Sequence, residues 1–365
     1  MKKEISGFQL CVITLFIGIL LTGFIVYTVN ATVDADLAPR CYDGSRIEGE
    51  GFLADFHRAV YQDATTLSTI NEYRYRLFGA DDHPNVFAGQ GGFLFQLENK
   101  ESGYSYIEDY LGNQPFTAGE CSAILEQLLT RRAAYAEQGA HYLLVVLPNT
   151  QTLYDENMPL FFGSVSRQTR LATMESYLRQ HGFHHFINTA NDLEQYKNFG
   201  LLANNTENSL NARGLYFVYY TICKNIDPEV LRHTDVLRYE EIDFYQHDTQ
   251  GKAIAKEAGL DDVATNQTVS LVGNTGHPYR YVYGTGTTAT TLWTSFDFTD
   301  APSLLLQFGG EWERSQAEPF FSGSFPRVTY QTGLDFDQNA FSRADPDIVI
   351  QFVREDELAS LLPGQ

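Results

Sequence analysis

The stretch Tyr142-Leu-Leu-Val-Val-Leu147 is a run of apolar residues that ends at Pro148. A strand with one face in water alternates apolar and polar residues, whereas this run has no clearly polar position. Such a run is typical of a strand that is buried on both faces, inside a parallel sheet with helices on each side. The sequence therefore predicts that this strand lies at the centre of an α/β fold.

The segment before the strand has the pattern of an amphipathic helix. Thr117 followed by Glu120 forms a capping box, which is a signature of a helix start. Apolar residues then recur at helical spacing, at Ile124, Leu125, Leu128 and Leu129. Gly139 supplies a stop, because glycine adopts the left-handed conformation at a helix end without strain. The pattern predicts a helix over residues 118–138 that leads directly into the strand.

Helices and strands alternate from this point to the C-terminus. Further helices are predicted at residues 166–181, 210–226, 313–320 and 336–341, and further strands at 185–189, 303–308, 327–331 and 347–353. Such alternation predicts an α/β fold with a doubly wound, mostly parallel sheet in three layers. Residues 265–300 are rich in Thr, Gly and Tyr, and are expected to form β-hairpins inserted at the edge of this sheet.

An apolar segment at residues 8–29 follows Lys2 and Lys3 near the N-terminus. About twenty residues of helix span a hydrocarbon core of about 30 Å, so the segment is long enough to cross a bilayer. A cleaved signal peptide is the alternative, with Val29-Asn30-Ala31 as an acceptable cleavage site. We favour an uncleaved anchor, because the apolar region of a signal peptide is usually shorter.

The chain is accordingly predicted to have three parts. These are a membrane anchor over residues 1–30, a spacer over 31–72 and a globular domain over 73–365, with the β insertion at about 265–300. The lysines that precede the anchor place the N-terminus in the cytoplasm. The domain is therefore expected on the other side of that membrane, in a periplasm or at the cell surface.

The charge of the chain restricts its partners. The sequence has 25 basic and 46 acidic residues, which gives a net charge of −21. Nucleic acid requires a basic face on its partner, so it is not an expected ligand. The excess negative charge of the chain also repels a polyanionic polysaccharide, which opposes its non-specific binding. The charge favours a neutral glycan, or an acidic glycan that is held only locally.

The spacing of cysteine and histidine predicts no metal or cofactor. No two histidines have the spacing of metal ligands. Outside the apolar segment only Cys41, Cys121 and Cys223 remain, which allow at most one disulfide in an oxidising compartment. Cys121 is expected on the buried face of its helix. Cys41 with Cys223 is the first pair to test.

Four blocks of sequence within residues 73–358 carry a family resemblance. The blocks are Arg76 to Phe95 with its glycine-rich turn; Pro148-Asn149 with Tyr154 and Glu156; Glu207-Asn-Ser-Leu-Asn-Ala-Arg-Gly214; and Leu304-Leu-Leu-Gln-Phe-Gly-Gly-Glu-Trp312 with the segments that follow it. Together they resemble the SGNH hydrolase-like family of alginate O-acetyltransferases of the AlgX/AlgJ type. The resemblance implies a sheet with helices on both faces and an activity on polysaccharide.

The resemblance also implies an acyl-transfer site whose chemical groups are replaced. Relatives carry Asp-Thr-His-Trp-Asn-x-x-Gly in the third block and Gly-Asp-Ser-Phe in the fourth, which together supply a Ser-His-Asp triad. The matching positions here are Glu207, Ser209 and Glu311. A serine cannot act as the base near neutral pH, and a glutamate is a weak nucleophile. Alternatively, Glu207 and Glu311 can run acid–base chemistry or bind a cation, or face solvent at loop tips.

Four further residues are predicted to bind substrate. Asn149, Tyr154 and Asn211 match the family blocks. Tyr281 lies among the tyrosines of the insertion, where aromatic faces can stack on sugar rings. The second aromatic run, Tyr216-Phe-Val-Tyr-Tyr220, is explained more simply by packing in the core.

These observations lead to three hypotheses of function. The first is an exported, membrane-anchored protein that has lost catalysis and serves as a glycan-binding or scaffold component of exopolysaccharide acetylation, with a membrane-bound O-acyltransferase as a partner. The second is an active polysaccharide O-acetyltransferase or acetylesterase with non-standard catalytic residues. The third is a surface adhesion module.

Overall fold

The structure, a computed structural model, describes residues 85–231, 233–273, 278–283, 289–294, 300–309, 311–334 and 337–364. His83–Glu257 and Asp261–Gln365 form one compact unit. The predicted anchor and spacer lie outside the described residues and stay predictions. Within the described ranges no helix is both long enough and apolar enough to cross a bilayer.

A seven-stranded sheet forms the centre of the fold. Its strands in spatial order are β6 (Phe186–Asn188), β5 (His141–Leu147), β13 (Ile348–Arg354), β11 (Leu304–Phe308), β12 (Arg327–Thr332), β10 (Ala289–Thr294) and β9 (Tyr279–Tyr283). Strands β6 to β12 in this order run parallel. Strands β10 and β9 complete the sheet as an antiparallel hairpin at its edge. The predicted doubly wound, mostly parallel sheet with an inserted hairpin is confirmed.

Shorter strands lie outside this sheet, in three antiparallel pairs. The pairs are β1 (Val86–Ala88) with β2 (Leu94–Gln96), β3 (Glu98–Asn99) with β4 (Tyr104–Ser105), and β7 (Phe244–Gln250) with β8 (Thr265–Leu271). The sequence predicted no strand at β7 and grouped β8 with the edge hairpin. That grouping was wrong. Strand β7 is mostly polar and exposed, so apolar alternation does not mark it, and its pairing with β8 makes a separate hairpin.

Helices cover both faces of the central sheet. They are α1 (Tyr106–Tyr110), α2 (Ala118–Glu137), α3 (Thr150–Leu153), α4 (Arg170–Gln180), α5 (Ala190–Tyr196), α6 (Ala212–Asn225), α7 (Pro228–Leu231), α8 (Ala253–Glu257), α9 (Glu311–Ser324) and α10 (Gln338–Ala344). Short 3₁₀ turns cover Asp155–Asn157, Leu160–Phe162, Lys197–Phe199, Tyr239–Glu241 and Glu355–Leu361.

Alternate residues of strand β5 enter two separate hydrophobic cores. Val145 and Leu147 pack with helices α6 and α9, whereas Leu144 and Val146 pack with α2, α4 and α10. Successive side chains of a strand point to opposite faces, so a strand that is apolar throughout must be covered on both sides. The prediction made from this stretch is therefore confirmed.

Local capping sets the ends of two predicted helices. Helix α2 begins after Thr117, whose side chain accepts a hydrogen bond from the Glu120 amide at 3.2 Å while the Glu120 carboxylate accepts one from the Thr117 amide at 2.7 Å. The predicted capping box is present. Helix α4 begins at Arg170, later than predicted, because the Thr169 hydroxyl accepts from the Ala172 amide and fixes the start there.

The two cysteines of the described residues, Cys121 and Cys223, are free thiols. Cys223 is a free thiol buried in helix α6, and burial raises its pKa to about 12. Its suggested partner, Cys41, lies outside the described residues. Cys223 lies in the hydrophobic core, where it packs as a small apolar residue. Cys121 is buried on helix α2, as predicted.

Candidate functional site

The carboxyl ends of strands β5, β13 and β11, which are neighbours in the sheet, meet around a small cavity. Its lining residues are Leu147, Phe308, Gly309, Glu313, Phe352, Arg354 and Glu357. The cavity volume is about 10 Å³, which is room for about one water molecule. Open α/β sheets bind their ligands at the carboxyl ends of strands. This edge of the sheet is therefore the candidate site.

A buried ion network stands on one side of the cavity. Arg354 forms two hydrogen bonds with the Asp356 carboxylate, at 3.0 and 3.1 Å, and its Nη1 lies 3.5 Å from Glu313. Tyr106 donates to Asp356 at 2.6 Å. Glu357 lies beside this network, and burial raises its pKa. Sequence reasoning missed all of these residues, because no local pattern marks them.

A second buried carboxylate, that of Glu355, holds the start of helix α3. It accepts a hydrogen bond from the backbone amide of Asn149 at 2.8 Å and another from the Thr152 hydroxyl at 3.0 Å. Burial raises the pKa of Glu355 to about 8, and the nearby Asp109 carboxyl adds to the shift. Asn149, one of the predicted substrate-binding residues, is thus a buried helix-start residue at the end of β5.

Asn208 joins the segment before helix α6 to the end of β5. Its side chain donates to Asn149 Oδ1 at 3.1 Å and accepts from the Thr150 amide at 2.7 Å. Asn208 lies between Glu207 and Ser209 in the sequence. Its side chain bonds to the end of β5, whereas the side chains of Glu207 and Ser209 do not. Sequence reasoning missed Asn208 because the family block draws attention to its neighbours.

Glu207 and Ser209 bond to each other. The Ser209 hydroxyl donates to Glu207 Oε2 at 3.0 Å and accepts from the Asn204 amide group at 2.9 Å. Lys252 Nζ lies 3.3 Å from the same Glu207 oxygen. Glu207 is therefore part of a closed polar network and not a free residue at a loop tip.

This network lacks a group that can activate a hydroxyl. A carboxylate is a weak base at neutral pH, and one oxygen of the Glu207 carboxylate already contacts Lys252. The side-chain partners of Ser209 among the described residues are Glu207 and Asn204, and neither is a histidine. The arrangement orders Ser209 but does not provide the base of a serine nucleophile.

Asn211 and Gly214, which match the family block, both support the backbone. Asn211 begins helix α6: its Oδ1 accepts from the Gly214 amide at 3.1 Å, and its Nδ2 donates to the Leu201 carbonyl at 2.9 Å. A Cβ at Gly214 would collide with the carbonyl oxygen of Leu202. These contacts account for the two residues without any contact to a ligand.

Replacing Gly214 with alanine is expected to lower the free energy of unfolding by about 2–3 kcal/mol, because backbone atoms must move to admit the methyl group. Urea unfolding measures this difference. The matched control is Gly119→Ala in helix α2, where a Cβ makes only an ordinary contact. The control should be neutral or slightly stabilising, since alanine is the better helix former. Equal unfolding midpoints for the two variants would contradict the expectation.

Tyr154 is buried next to the site and bonds to the chain itself. Its hydroxyl accepts from the Leu202 amide at 2.8 Å. Lys197 Nζ lies 4.8 Å from the centre of its ring, and the ring of Phe93 lies 4.9 Å away. Burial raises the pKa of Tyr154 to about 12, so it is a neutral phenol at physiological pH. Its predicted contact with substrate stays a prediction.

Two predicted site residues are described by their backbone alone. Glu311 begins helix α9, directly after the carboxyl end of β11, so its main chain lies at the candidate site. Tyr281 lies in the middle of β9, opposite Leu292 of β10. Their side chains lie outside the described part of the chain. The roles assigned to Glu311 and Tyr281 therefore stay predictions.

Comparison with known proteins identifies relatives by structure. By sequence, no family model and no curated protein matches. Bacillus cereus PatB1 superposes with a TM-score of 0.54, at 9% identity, covering 75% of this chain and 96% of PatB1. A DHHW family protein from Eubacterium siraeum superposes with a TM-score of 0.52, at 11% identity, covering 76% and 93%. The chain has the SGNH hydrolase-like fold.

An acetyltransferase domain also superposes on this fold, with a lower TM-score. The O-acetyltransferase domain of Pseudomonas putida AlgJ superposes with a TM-score of 0.48, at 14% identity, covering 76% of this chain and 92% of the AlgJ domain. At these identities the likeness is one of fold. The predicted resemblance is confirmed at that level, and what the SGNH-like domain does rests on its own residues.

Proposed function

We propose that this chain is an exported, membrane-anchored SGNH-like protein that binds glycan, or serves as a scaffold, in exopolysaccharide acetylation, and that it transfers no acyl group itself. The observation that carries the proposal is the hydrogen bond from Ser209 to Glu207, 3.0 Å long, at the positions of the family's base and acid. Lys252 and Asn204 complete this network and leave Ser209 without an imidazole partner among the described residues.

The geometry of the strand ends supports the same conclusion. Glu355 and Asn208 hold Asn149 in place, and Arg354 is occupied by Asp356 and Glu313. The cavity beside Glu313 and Arg354 has room for about one water molecule. A site that transfers acyl groups needs an open position next to its nucleophile and its oxyanion donors.

The setting of the protein is proposed from the sequence. The apolar segment at residues 8–29 supports an anchor, and the lysines before it support a domain outside the membrane. The resemblance of four sequence blocks to the alginate O-acetyltransferases suggests the pathway. A membrane-bound O-acyltransferase is the partner that this pathway would supply.

Labelling with a sulfonyl fluoride tests the loss of catalysis, because such reagents form stable adducts on activated hydroxyl groups. PatB1, which has been solved with a sulfonyl adduct, is the positive control. We expect no adduct on Ser209 of the purified full-length chain. Hydrolysis of a chromogenic acetyl ester is expected to stay at background, both for the wild type and for Ser209→Ala.

Two further outcomes separate the alternatives. An adduct on Ser209, or ester hydrolysis abolished by Ser209→Ala, would contradict the proposal and establish the active esterase or transferase. Co-sedimentation with insoluble alginate, acetylated alginate and a neutral glucan tests binding of glycan. Binding to none of the three would contradict the glycan-binding role.

A further inference from the structure

Arg213, in the first turn of helix α6, is a buried guanidinium without an anionic partner. Its exposed fraction is 7%. Its one hydrogen bond runs from Nη1 to the Leu201 carbonyl, at 3.3 Å. The Nε atom is shielded from water and has no partner. None of the ion pairs formed among the described residues includes Arg213.

Arg354, whose side chain is 27% exposed, shows how unusual this arrangement is. Arg354 has Asp356 in a two-point contact and Glu313 beside it. Burial of a charge without a counter-ion costs several kcal/mol, so buried arginines are normally paired. Arg213 is buried more completely than Arg354 and has no carboxylate partner among the described residues.

The surroundings of Arg213 fix its orientation but compensate only part of its charge. A Cβ at Gly200 would collide with Nη1, so the guanidinium lies directly against the backbone there. The ring of Phe244 lies 5.4 Å from the guanidinium carbon. A cation–π contact of this kind replaces only a fraction of the lost hydration. The side chain is thus held in place with one of its edges unused.

The unused edge is the one that recognises carboxylates. Nε and Nη2 point their N–H bonds in the same direction and form the fork that binds two carboxylate oxygens. Neither atom has an acceptor, and Nη2 is not shut off from solvent as Nε is. We propose that Nη2, the end of this edge that is open to solvent, is a binding site for a carboxylate that reaches the protein from solution.

Nearby aromatic rings indicate the kind of molecule that carries the carboxylate. The rings of Phe244 and Tyr239 stack at 5.7 Å, and Phe199, 43% exposed, lies 4.7 Å from Tyr239. A sugar ring that carries a carboxylate can place its charge on Arg213 and its apolar face on these rings. This part of the inference rests on the proposed glycan-binding function. The carboxylate site itself does not.

The net charge of the chain makes the site selective. At −21 the protein repels anions in general. A single unpaired guanidinium is therefore the local feature that can hold an acidic group. This agrees with the expectation that an acidic glycan is gripped only at one point.

The test measures urea unfolding of the purified full-length chain at pH 7 and constant ionic strength. The conditions are sodium chloride, sodium acetate, sodium glucuronate, and sodium chloride with glucose. We expect acetate and glucuronate to stabilise the fold relative to chloride, and glucose to have no effect. At a ligand concentration about ten times Kd, the ratio of folded to unfolded chain rises about tenfold.

Arg213→Met removes the charge and keeps an unbranched apolar side chain. This variant is expected to lose the response to acetate and glucuronate, and to be at least as stable as the wild type in chloride, because an unpaired charge has been removed. The matched control is Arg238→Met, which removes an exposed arginine already paired with Glu241. The control should keep the full response.

Three results would overturn the proposal. They are equal stability of the wild type in chloride, acetate and glucuronate; an unchanged response in Arg213→Met; or a loss of stability of that variant in chloride, which would mean that Leu201 and Phe244 fully account for Arg213. If Arg213→Met does not fold, Arg213→Lys replaces it, and its response should be at least about tenfold weaker because lysine lacks the planar guanidinium that carries Nη2.

The results with acetate and with glucuronate distinguish a failure of this inference from a failure of the proposed function. Stabilisation by acetate but not by glucuronate would support the carboxylate site at Arg213. It would contradict the contact of a sugar ring with the nearby aromatic rings. Stabilisation by both, with no binding of polysaccharide, would contradict the glycan-binding function while the site stands.

Discussion

Replacing Arg354 with methionine is expected to lower the free energy of unfolding by about 3–5 kcal/mol. Its two partners are almost completely buried: the side chains of Glu313 and Asp356 are 7% and 1% exposed. Without the guanidinium both carboxylates are buried charges with too few donors, and Tyr106 alone remains to bond Asp356.

Urea unfolding at pH 7 measures the Arg354→Met effect. Arg238→Met is the control, because it breaks an ion pair whose arginine is 75% exposed, and such pairs contribute about 0–1 kcal/mol. Similar losses for the two variants would contradict the view that burial of the carboxylates, rather than the ion pair itself, makes Arg354 important.

Raising the pH from about 5 to about 8 is expected to lower the free energy of unfolding by about 4 kcal/mol through Glu355. The folded-state pKa of Glu355 is raised to about 8 from an ordinary value of 4.5. Between these values the folded chain holds a proton that the unfolded chain has released, so stability falls as the pH rises. Below about 4.5 both states are protonated, and above about 8 both are ionised.

Several groups act on this titration. Asp109 and Asp356 are the carboxyl groups that raise the pKa of Glu355, while the Asn149 amide and the Thr152 hydroxyl oppose the shift. Tyr104 is neutral in this range, because burial raises its pKa well above 10. Asp109 has a raised pKa of its own and adds to the loss of stability in the same direction.

Glu355→Gln should flatten the pH profile between pH 5 and 8. The amide oxygen can keep the hydrogen bond from the Asn149 amide, and the Thr152 hydroxyl can turn to accept from the new amide group. Urea unfolding at half-unit pH steps measures the slope. Glu257→Gln is the control, since the pKa of Glu257 is lowered and it does not titrate in this window. An unchanged slope in Glu355→Gln would assign the effect to other groups.

The polar residues of the candidate site stabilise the fold through contacts that do not depend on catalysis. Asn208 bonds Asn149, and Glu355 bonds the amide of Asn149. Asn211 begins helix α6, and Gly214 makes room for a carbonyl group. A chain that keeps this fold needs these contacts whether or not it transfers acyl groups. This explains how the family block can remain recognisable at Asn211 and Gly214 while the positions of its acid and base hold a different pair.

The elements that were predicted correctly depend on residues close together in the chain. The Thr117–Glu120 capping box and the apolar run Tyr142–Leu147 are both complete within a few residues. The polar strand β7 was missed, because its residues carry no apolar alternation and its partner β8 begins only after an intervening helix. The start of α4 was placed too early, since the capping residue Thr169 had not been recognised.

The amino-acid sequence alone was enough to establish the fold class and the central strand, because periodicity and capping are properties of neighbouring residues. The partners of the site residues were not accessible in this way. Asn208 meets Thr150 across 58 positions, and Glu355 meets Asn149 across 206. The pair of Glu355 and Asn149 forms because strands β5 and β13 are neighbours in the sheet, and the pair of Asn208 and Thr150 forms because the segment before helix α6 packs against the end of β5. Strand order and this packing are products of the complete fold. The same holds for Arg213, whose missing counter-ion becomes visible only after folding has buried its charge.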